Sequence, residues 1–491
     1  MKKNANKKNS VAKNYVYNLI YQLLTILTPL ITTPYIARVL GAKNNGIYGY
    51  TMSIVTYFVL LGSLGITMYG QREIAYVQDD KNKQTKIFWE LVIIKLFTYL
   101  ISITCFFFIF CLNGEYALYY KILIIEMLAN LVDISWYFQG IEDFQKTVIR
   151  NLIVKTLGII LIFVFVKTRS DLWIFFMVYV LSNLIGNLSL WLYIPKYLNK
   201  KIGKLKFRPH IKPIILLFLP QVAVQIYVVL DKTMVGKITH NMVEVGYYDQ
   251  SQKIVKALLL IVSALGAVMC SRIANSFAKK KYDEIKEYMR NSVNMVLLIS
   301  IPLIFGIFAI SKDLVPIYFG KEYLSVIPLM NIASFILLAI GLNNVTGVQY
   351  LVQVGKQKIF TISVTVGALI NVVFNLILIN IFGTIGAMYS SVLAEFSILF
   401  IQLYFSRNYI NVGYILKSSI KYLISGIFMF FLIYLFSNCF KNSIIILGIE
   451  CFIGIISYFT MLVILRDKFF INLVRQIKNF IFSKIKVGVA K

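Results

Sequence analysis

Acidic residues, histidines and prolines are scarce in this sequence. Its 491 residues include 21 Asp+Glu against 50 Lys+Arg, with only 2 His and 9 Pro. That count nearly excludes a histidine-based metal site, and the 5 cysteines contain no CxxC pair, so neither a zinc site nor a disulfide framework is expected. Only 14% of the residues are charged and 59% are hydrophobic, which is too apolar for the surface of a soluble protein. The sequence therefore predicts a protein whose solvent is the membrane.

Nucleotide-binding motifs are also absent. Neither a phosphate-binding loop of the form GxxxxGK[ST] nor a dinucleotide GxGxxG motif occurs, and no loop is long enough to fold as an ATPase. We therefore expect no cofactor. The basic excess is typical of the cytoplasmic loops of a polytopic membrane protein, and no basic stretch accompanies a globular module, so nucleic acid is not expected as a partner.

Long apolar stretches are what the sequence has in abundance. They recur at about 20 residues each, the length that crosses a bilayer core, and predict an all-α integral membrane protein of about fourteen transmembrane helices. The predicted spans are residues 14–39, 47–70, 87–111, 117–139, 148–167, 171–194, 214–238, 247–270, 291–311, 323–345, 359–381, 384–405, 415–437 and 442–465.

Positive charges between the spans predict the orientation. With the N-terminus in the cytoplasm, basic residues concentrate in inner loops around residues 72–86, 196–212 and 272–290, while the outer loops hold only isolated charges. Because cytoplasmic loops carry the excess of Lys and Arg, both termini are expected on the cytoplasmic side of the membrane.

A motif near the start of the second predicted span recurs near the start of the eighth. In both copies an arginine follows the glycine at the same distance, since 72 − 46 = 26 and 272 − 246 = 26. The spacing indicates two six-helix halves in the same orientation, related by an axis along the membrane normal. The residues of this repeat, which we expect to take part in gating, are Gly46, Tyr48, Arg72, Gly246, Tyr248 and Arg272.

The repeat and the charge pattern divide the chain into five segments. Residues 1–195 form an N-terminal lobe of six spans, and 196–213 a basic cytoplasmic linker. Residues 214–410 form a C-terminal lobe of six spans, and 411–465 two appended spans. Residues 466–491 have apolar and basic residues at helical spacing, which is typical of an amphipathic helix on an anionic membrane surface.

Several predicted spans carry polar residues three or four positions apart, on one face of a helix. A charge at the bilayer centre costs about 2.5–3.5 kcal/mol on insertion scales, so such a face must meet something other than lipid. A water-filled, positively charged cavity shared by these spans would solvate all of the polar faces. The alternative is that interhelical hydrogen bonds and structural ion pairs provide their partners. The candidate cavity residues are Arg38, Lys232, Lys253, Lys256, Asn18, Gln22, Gln221 and Gln225.

Three carboxylates within the predicted spans are candidates for proton or cation coupling. Glu126 and Asp133 lie in the fourth predicted span, and Glu395 lies in the twelfth. Structural pairing with neighbouring side chains is the alternative for each of them.

The repeat motifs resemble those of a known family. The segments concerned are 27–41 (LTPLITTPYIARVLG), 46–48 (GIY) and 69–75 (YGQREIA) in the first half, and Asp231-Lys232 and 246–250 (GYYDQ) in the second half. These segments resemble the polysaccharide-transporter (repeat-unit flippase, Wzx-like) family. This family belongs to the multidrug/oligosaccharidyl-lipid/polysaccharide exporter superfamily. The arrangement of the predicted spans resembles this family over nearly the whole chain. The sequence motifs resemble it in spans one, two, seven and eight.

The resemblance implies a fourteen-helix, two-lobed, V-shaped carrier that works by alternating access and is not an enzyme. Its implied substrate is an undecaprenyl-pyrophosphate-linked oligosaccharide, moved from the inner to the outer leaflet of a bacterial cytoplasmic membrane for capsule or O-antigen-like polymers. The implied partners are this substrate, membrane lipids, and a polysaccharide polymerase and glycosyltransferases of the same pathway. A cationic central cavity, as members of this family have, fits the basic candidate residues.

Other functions are compatible with the same composition. A drug or cation antiporter of the same superfamily would present an excess of carboxylates in its cavity, whereas cations predominate here. A membrane polysaccharide polymerase or lipid-dependent glycosyltransferase would need a large extracytoplasmic loop, and every predicted outer loop is short. A scaffold in an envelope-assembly complex would leave the polar intramembrane faces without a purpose.

Overall fold

The computed structural model describes the backbone of residues 2–199, 203–263, 266–438 and 443–489, and every regular element in these ranges is helical. Side chains are described from residue 28 to residue 479, except in those gaps and at 219–221, 223–224, 226–228, 267–268 and 477. The chain folds into two compact units, Met1–Asp249 and Gln250–Lys491. An all-α membrane protein, as predicted from the apolar stretches, is confirmed.

The first unit begins with a long helix whose backbone is interrupted at Gly41, where φ is 75°. Its helices are α1 (Lys2–Ser63), α2 (Ile66–Tyr76), α3 (Lys81–Phe106), α4 (Ala117–Leu131), α5 (Ser135–Gly140), α6 (Phe144–Phe165), α7 (Leu172–Trp191), α8 (Ile194–Tyr197), α9 (Arg208–Thr239) and the start of α10 (Met242–Ser263). A short π-helix, Phe107–Cys111, continues α3.

The second unit contains the rest of α10 and the helices that follow it. These are α11 (Gly266–Ala278), α12 (Tyr282–Tyr318), α13 (Val326–Asn343), α14 (Gln357–Phe382), α15 (Thr384–Ser406), α16 (Val412–Ser437), α17 (Ile444–Ile464) and α18 (Lys468–Val489). A π-helix, Asn344–Leu351, continues α13.

Ten helical stretches among the described residues are long and apolar enough to cross a membrane, so the count of fourteen remains a prediction. The predicted fourth span, 117–139, is divided between α4 and α5 by residues 132–134. With 15 residues, α4 is about 22 Å long at 1.5 Å per residue, which is shorter than a bilayer core of about 30 Å.

The predicted second span is also divided. Leu64 and Gly65 have φ angles of 44° and 77°, a conformation that ends α1 before α2 begins.

Each unit has its own apolar core. In the first unit, aromatic side chains dominate, with Phe88 and Trp136 stacked at a centroid separation of 5.7 Å. In the second unit, aliphatic residues of α12 pack with Tyr422 and Tyr458. Large apolar side chains such as Ile153 remain exposed on the outer helices, as expected for surfaces that face lipid.

The predicted C-terminal amphipathic segment lies mostly in α18. Phe469, Phe470 and Leu473 pack against the core of the second unit, and the Phe470 ring stacks on Phe459 at 5.1 Å. The first turns of this helix are therefore attached to the protein. The side chains beyond residue 479 lie outside the described part of the chain, and the five predicted segments remain predictions.

Candidate functional site

The two glycines of the sequence repeat lie against each other. A Cβ atom at Gly46 would lie 1.6 Å from the carbonyl oxygen of Met242, and one at Gly246 would lie 2.2 Å from the carbonyl oxygen of Ala42. We call this backbone-to-backbone contact the glycine seam. Beside it, the Tyr48 ring packs edge-on against aromatic rings of α7 at centroid separations of 4.8 and 5.2 Å. Only glycine permits backbones to approach this closely.

Beyond the glycine seam, which joins α1 to α10, further contacts join α1 to α9. Tyr50 fills the space beside Gly236, where a Cβ would meet the ring at 2.5 Å. The hydroxyls of Ser53 and Thr233 are 2.8 Å apart, and the Tyr57 hydroxyl lies 3.2 Å from Thr233. Small and hydroxyl side chains therefore hold these two helices together, as is typical of helix packing in membranes.

Lys232, the central predicted cavity cation, forms an ion pair with Asp249. Its neighbour Asp231 accepts a hydrogen bond from the Tyr248 hydroxyl at 2.5 Å. Asp249 and Asp231 are buried, while the Lys232 side chain is 25% exposed. The charge of Lys232 is thus matched by a carboxylate of α10, and the repeat residue Tyr248 orients the adjacent carboxylate.

The other predicted cavity residues are less buried. Lys253 is half-buried on α10, while Arg38, Lys256 and Gln225 are exposed. The convergence of these side chains with Lys232 on one cavity remains a prediction. The side chains of Asn18, Gln22 and Gln221 lie outside the described residues.

Glu126 lies in a polar cluster between α4, α6 and α7. Its two carboxylate oxygens accept hydrogen bonds from the side-chain amides of Asn130 and Asn183, each at 3.0 Å. Arg150 donates to the carboxamide oxygen of Asn187 beside them. These residues line a cavity of about 180 Å³. The helical spacing of Glu126 and Asn130 was visible in the sequence, but their meeting with α6 and α7 was not.

The other two predicted coupling carboxylates have structural partners. Asp133 accepts hydrogen bonds from the backbone N–H of Ser135 at 2.9 Å and from its hydroxyl at 3.0 Å, so it orders the break between α4 and α5. The buried ammonium of Lys95 donates to the Asp133 carbonyl at 2.8 Å. Glu395 accepts a hydrogen bond from the Asn343 amide at 2.8 Å. Ion coupling by any of the three carboxylates remains a prediction.

The repeat arginines lie at helix surfaces. Arg72 pairs with Glu73 at 3.0 Å, where its side chain is 42% exposed. Arg272 is exposed and lies over the ring of Tyr288, with its guanidinium carbon 5.9 Å from the ring centroid. Exposed contacts of this kind contribute about 1 kcal/mol or less.

Sequence patterns did not reveal a buried network at the start of α9. His210 Nε2 lies 2.9 Å from a carboxylate oxygen of Glu90, and its Nδ1 lies 2.7 Å from the Tyr69 hydroxyl. The second oxygen of Glu90 accepts the backbone N–H of Lys206 at 2.5 Å. The end of the predicted basic linker is thereby attached to α2 and α3.

Comparison with known proteins identifies the family. A family described as "Polysaccharide biosynthesis protein" matches residues 11–270, more than half of the chain. The chain belongs to this family. A second family, MatE, matches residues 214–377. The resemblance to the repeat-unit flippases of the multidrug/oligosaccharidyl-lipid/polysaccharide exporter superfamily is confirmed, and the protein is a multi-pass membrane transporter rather than an enzyme.

Individual relatives and structures agree with this family. The "Putative O-antigen transporter" of Escherichia coli (strain K12) is 26% identical over 414 residues, covering 82% of this chain and 98% of the relative. The "Probable low-salt glycan biosynthesis flippase Agl15" of Haloferax volcanii is 23% identical, covering 48% of this chain and 50% of the relative. The structure of "Lipid II flippase MurJ, inward closed conformation" matches with a TM-score of 0.72 and 17% identity over 93% of this chain and 99% of that chain.

Proposed function

We propose that this protein translocates lipid-linked oligosaccharide repeat units from the inner to the outer leaflet of a bacterial cytoplasmic membrane. The observation that carries the proposal is its family: one polysaccharide-biosynthesis family spans residues 11–270. A relative named as an O-antigen transporter aligns with 82% of the chain, and another is named as a glycan flippase. The proposed carrier lipid is undecaprenyl pyrophosphate, and the product serves capsule or O-antigen-like polymers.

The proposed orientation places both termini in the cytoplasm, because the basic loops around residues 72–86, 196–212 and 272–290 would then face inward. A polymerase and glycosyltransferases of the same pathway are the proposed partners. The substrate would be delivered to the inner leaflet by these glycosyltransferases and used by the polymerase after translocation.

In the proposed mechanism, Arg38, Lys232, Lys253 and Lys256 attract the pyrophosphate while the lipid tail remains in the bilayer. Asn and Gln side chains of the predicted polar faces solvate the sugar. The membrane potential supplies about 2.3 kcal/mol per charge at 100 mV, and it drives a negative headgroup outward from a negative interior. The ion pair between Lys232 and Asp249 supports a switch in which the headgroup competes with Asp249 for the same cation.

A leaflet-resolved flipping assay tests the proposal. Purified protein in liposomes is given lipid-linked repeat units, and their exposure to an impermeant glycan-cleaving reagent is followed with time. Wild-type protein should translocate the substrate, and the triple substitution Lys232→Gln, Lys253→Gln and Lys256→Gln should reduce the rate at least about tenfold.

The matched control removes the same number of positive charges elsewhere. Lys237, Lys279 and Lys280 are exposed, and their replacement by Gln should leave the flipping rate within about twofold of wild type. Absence of flipping by well-folded wild-type protein would reject the proposed function. Equal rates for the two triple variants would reject the proposed role of the cavity cations.

Drug export is the second candidate, because the MatE family matches residues 214–377. Expression in a drug-sensitive host should leave the inhibitory concentrations of cationic drugs unchanged if the first proposal holds. A several-fold increase that depends on the protein would favour drug export instead.

A further inference from the structure

A cleft of about 520 Å³ lies within the second unit, between α11, α12, the π-helix Asn344–Leu351 and α18. This volume is in the range of about 300–1,000 Å³ that is typical of sites for small molecules. Among the residues singled out in the sequence, Arg272 lines the cleft. Phe469, Asn472, Leu473 and Gln476 of the predicted amphipathic segment 466–491 form another part of its wall.

Two buried polar atoms of the cleft residues have no hydrogen-bond partner in the described part of the chain. They are the hydroxyl of Ser292 and Oε1 of Gln349, on side chains that are 6% and 4% exposed. Nε2 of Gln349 donates to Asn344 Oδ1 at 3.0 Å, which orients the amide and leaves Oε1 as an acceptor. A buried polar group without a partner destabilises the protein, so a ligand that donates a hydrogen bond inside the cleft would remove this penalty.

Backbone geometry places Gln349 in the cleft. It lies in the π-helix that continues α13, and π-helical insertions are rare and are frequently found at functional sites. Gly266 allows α11 to approach this segment, because a Cβ there would lie 2.7 Å from Asn344 Oδ1. The side-chain amide of Asn344, which accepts the hydrogen bond from Gln349, is therefore packed closely against α11.

The chemistry of the walls favours a neutral ligand with many hydroxyl groups. One guanidinium, Arg272, and one carboxylate, Glu287, balance each other's charge, and the carboxamides of Asn291 and Asn472 provide both donors and acceptors. A deprotonated phosphate offers only acceptors and cannot donate to Gln349 Oε1, whereas a sugar hydroxyl both donates and accepts. Apolar wall residues such as Phe469 would contact the C–H face of a sugar ring.

We propose that this cleft binds the saccharide portion of the transported molecule, with hydroxyl groups of the sugar paired to Gln349 Oε1 and Ser292 Oγ. The inference rests on the proposed function, because a lipid-linked oligosaccharide brings such a saccharide to the protein. α18 forms one wall of the site through Phe469 and Leu473, so the C-terminal helix takes part in glycan binding as well as in packing.

The test uses full-length protein in nanodiscs and, as the probe, the oligosaccharide released by mild acid from the lipid-linked repeat units of the source cell. Binding is followed by saturation-transfer NMR and by titration. Wild-type protein should bind the saccharide, and Gln349→Leu should weaken binding at least about tenfold. Gln353→Leu is the matched control, since Gln353 lies four positions further on and does not line the cleft, and it should bind as wild type does.

Ser292→Ala provides a second variant if Gln349→Leu does not fold, and it should weaken binding several-fold. Failure of wild-type protein to bind the released saccharide, or equal binding by wild type and the folded cleft variants, would overturn the inference. Displacement of the bound saccharide by inorganic pyrophosphate at equal concentration would also overturn it, because it would indicate an anion site.

The flipping assay on the same preparations separates this inference from the proposed function. If wild-type protein flips the lipid-linked substrate but saccharide binding is insensitive to Gln349 and Ser292, the cleft assignment is wrong and the proposed function stands. If the saccharide binds in the cleft but no lipid-linked substrate is flipped, the proposed function is wrong and the saccharide site stands.

Discussion

At position 46 there is no space for a methyl group. A Cβ there would lie 1.6 Å from the Met242 carbonyl oxygen, which is backbone and cannot move aside as a flexible side chain does. The next glycine on the same helix is different, because a Cβ at Gly49 would make its first contact at 3.6 Å, with the Asp249 side chain. Two glycines three positions apart on one helix therefore have different physical roles.

We expect Gly46→Ala to force the glycine seam apart. Overpacking of this kind costs about 1–3 kcal/mol, so the thermal midpoint of the purified protein should fall and flipping in liposomes should be strongly reduced. Gly49→Ala should change both quantities little, because its Cβ has ordinary van der Waals space. A Gly46→Ala protein as stable and active as wild type would show that the seam is not a tight contact in solution.

The Lys232–Asp249 ion pair leads to a second prediction at the residue scale. Lys232→Gln removes the ammonium group that pairs with the buried carboxylate of Asp249, which should cost about 3 kcal/mol of stability. The double substitution Lys232→Gln and Asp249→Asn should recover most of this loss, while flipping should remain reduced because the cation is absent. Recovery of full flipping by the double variant would show that Lys232 is purely structural.

The start of α3 depends on the side chain of one residue. Asp80 is the N-cap, and its carboxylate accepts the backbone N–H groups of Asn82 and Lys83, each at 3.0 Å. The hydrogen bond from the Lys83 backbone, together with contacts to the Lys83 side chain, lowers the pKa of Asp80 below its usual value. A carboxylate whose pKa is lower in the folded than in the unfolded state stabilises the folded state at pH values above the unfolded pKa. This stabilisation is lost as the pH falls through the folded pKa.

Asp80→Ala should therefore lower the thermal midpoint at neutral pH, because α3 loses its cap. The difference from wild type should narrow as the pH falls below about 4, where the wild-type carboxylate also becomes protonated. Melting curves between neutral pH and pH 3 measure this, with Asp79→Ala as a control in the same turn. An effect that is independent of pH would contradict a charged cap.

The start of α9 is attached through a side chain on that helix. His210 bridges Glu90 of α3 and Tyr69 of α2, so the preceding basic residues are attached to two neighbouring helices. We expect His210→Asn to weaken this attachment, since the shorter side chain cannot reach both partners. Trypsin should then cleave after Lys204 or Lys206 several times faster than in wild type, while the thermal midpoint falls modestly.

The control for this variant uses the other histidine of the chain. His240 is exposed at the C-terminal end of α9, and His240→Asn should leave the rate of cleavage near 204–206 unchanged. Equal cleavage of wild type and His210→Asn would indicate that the linker is held by other contacts.

For the whole molecule, the basic loops predict which surface faces the cytoplasm. A cysteine introduced at Lys279 should be protected from an impermeant thiol reagent in intact cells and labelled after permeabilisation. A cysteine at Asn113, at the opposite end of α3 from the basic loop 72–86, should be labelled in intact cells. The reverse pattern would invert the orientation on which outward translocation depends.

The predictable part of the fold is the part that follows from local composition. Apolar length predicted membrane helices, and the helical spacing after residue 466 predicted the α18 helix. The break at residues 132–134 is not predictable from hydropathy, because an apolar stretch has the same length whether or not a turn divides it. The partners Asn183 and Asn187 of the Glu126 cluster are not predictable either, because long-range contacts do not affect the residue spacing within one helix.

By itself, the sequence determined the class of protein, the repeat and the family, because hydropathy, the equal spacing of Gly46–Arg72 and Gly246–Arg272, and the family motifs are properties of residue order. Only the tertiary structure decided that Gly46 touches the backbone near Gly246, that Lys232 is matched by Asp249, and that Gln349 and Ser292 belong to one cleft. The reason is geometric. A polar residue on a membrane helix must be shielded from lipid, and the sequence shows which residues are polar. The packing of helices that are distant in sequence decides which side chain or backbone group becomes the partner of each polar residue.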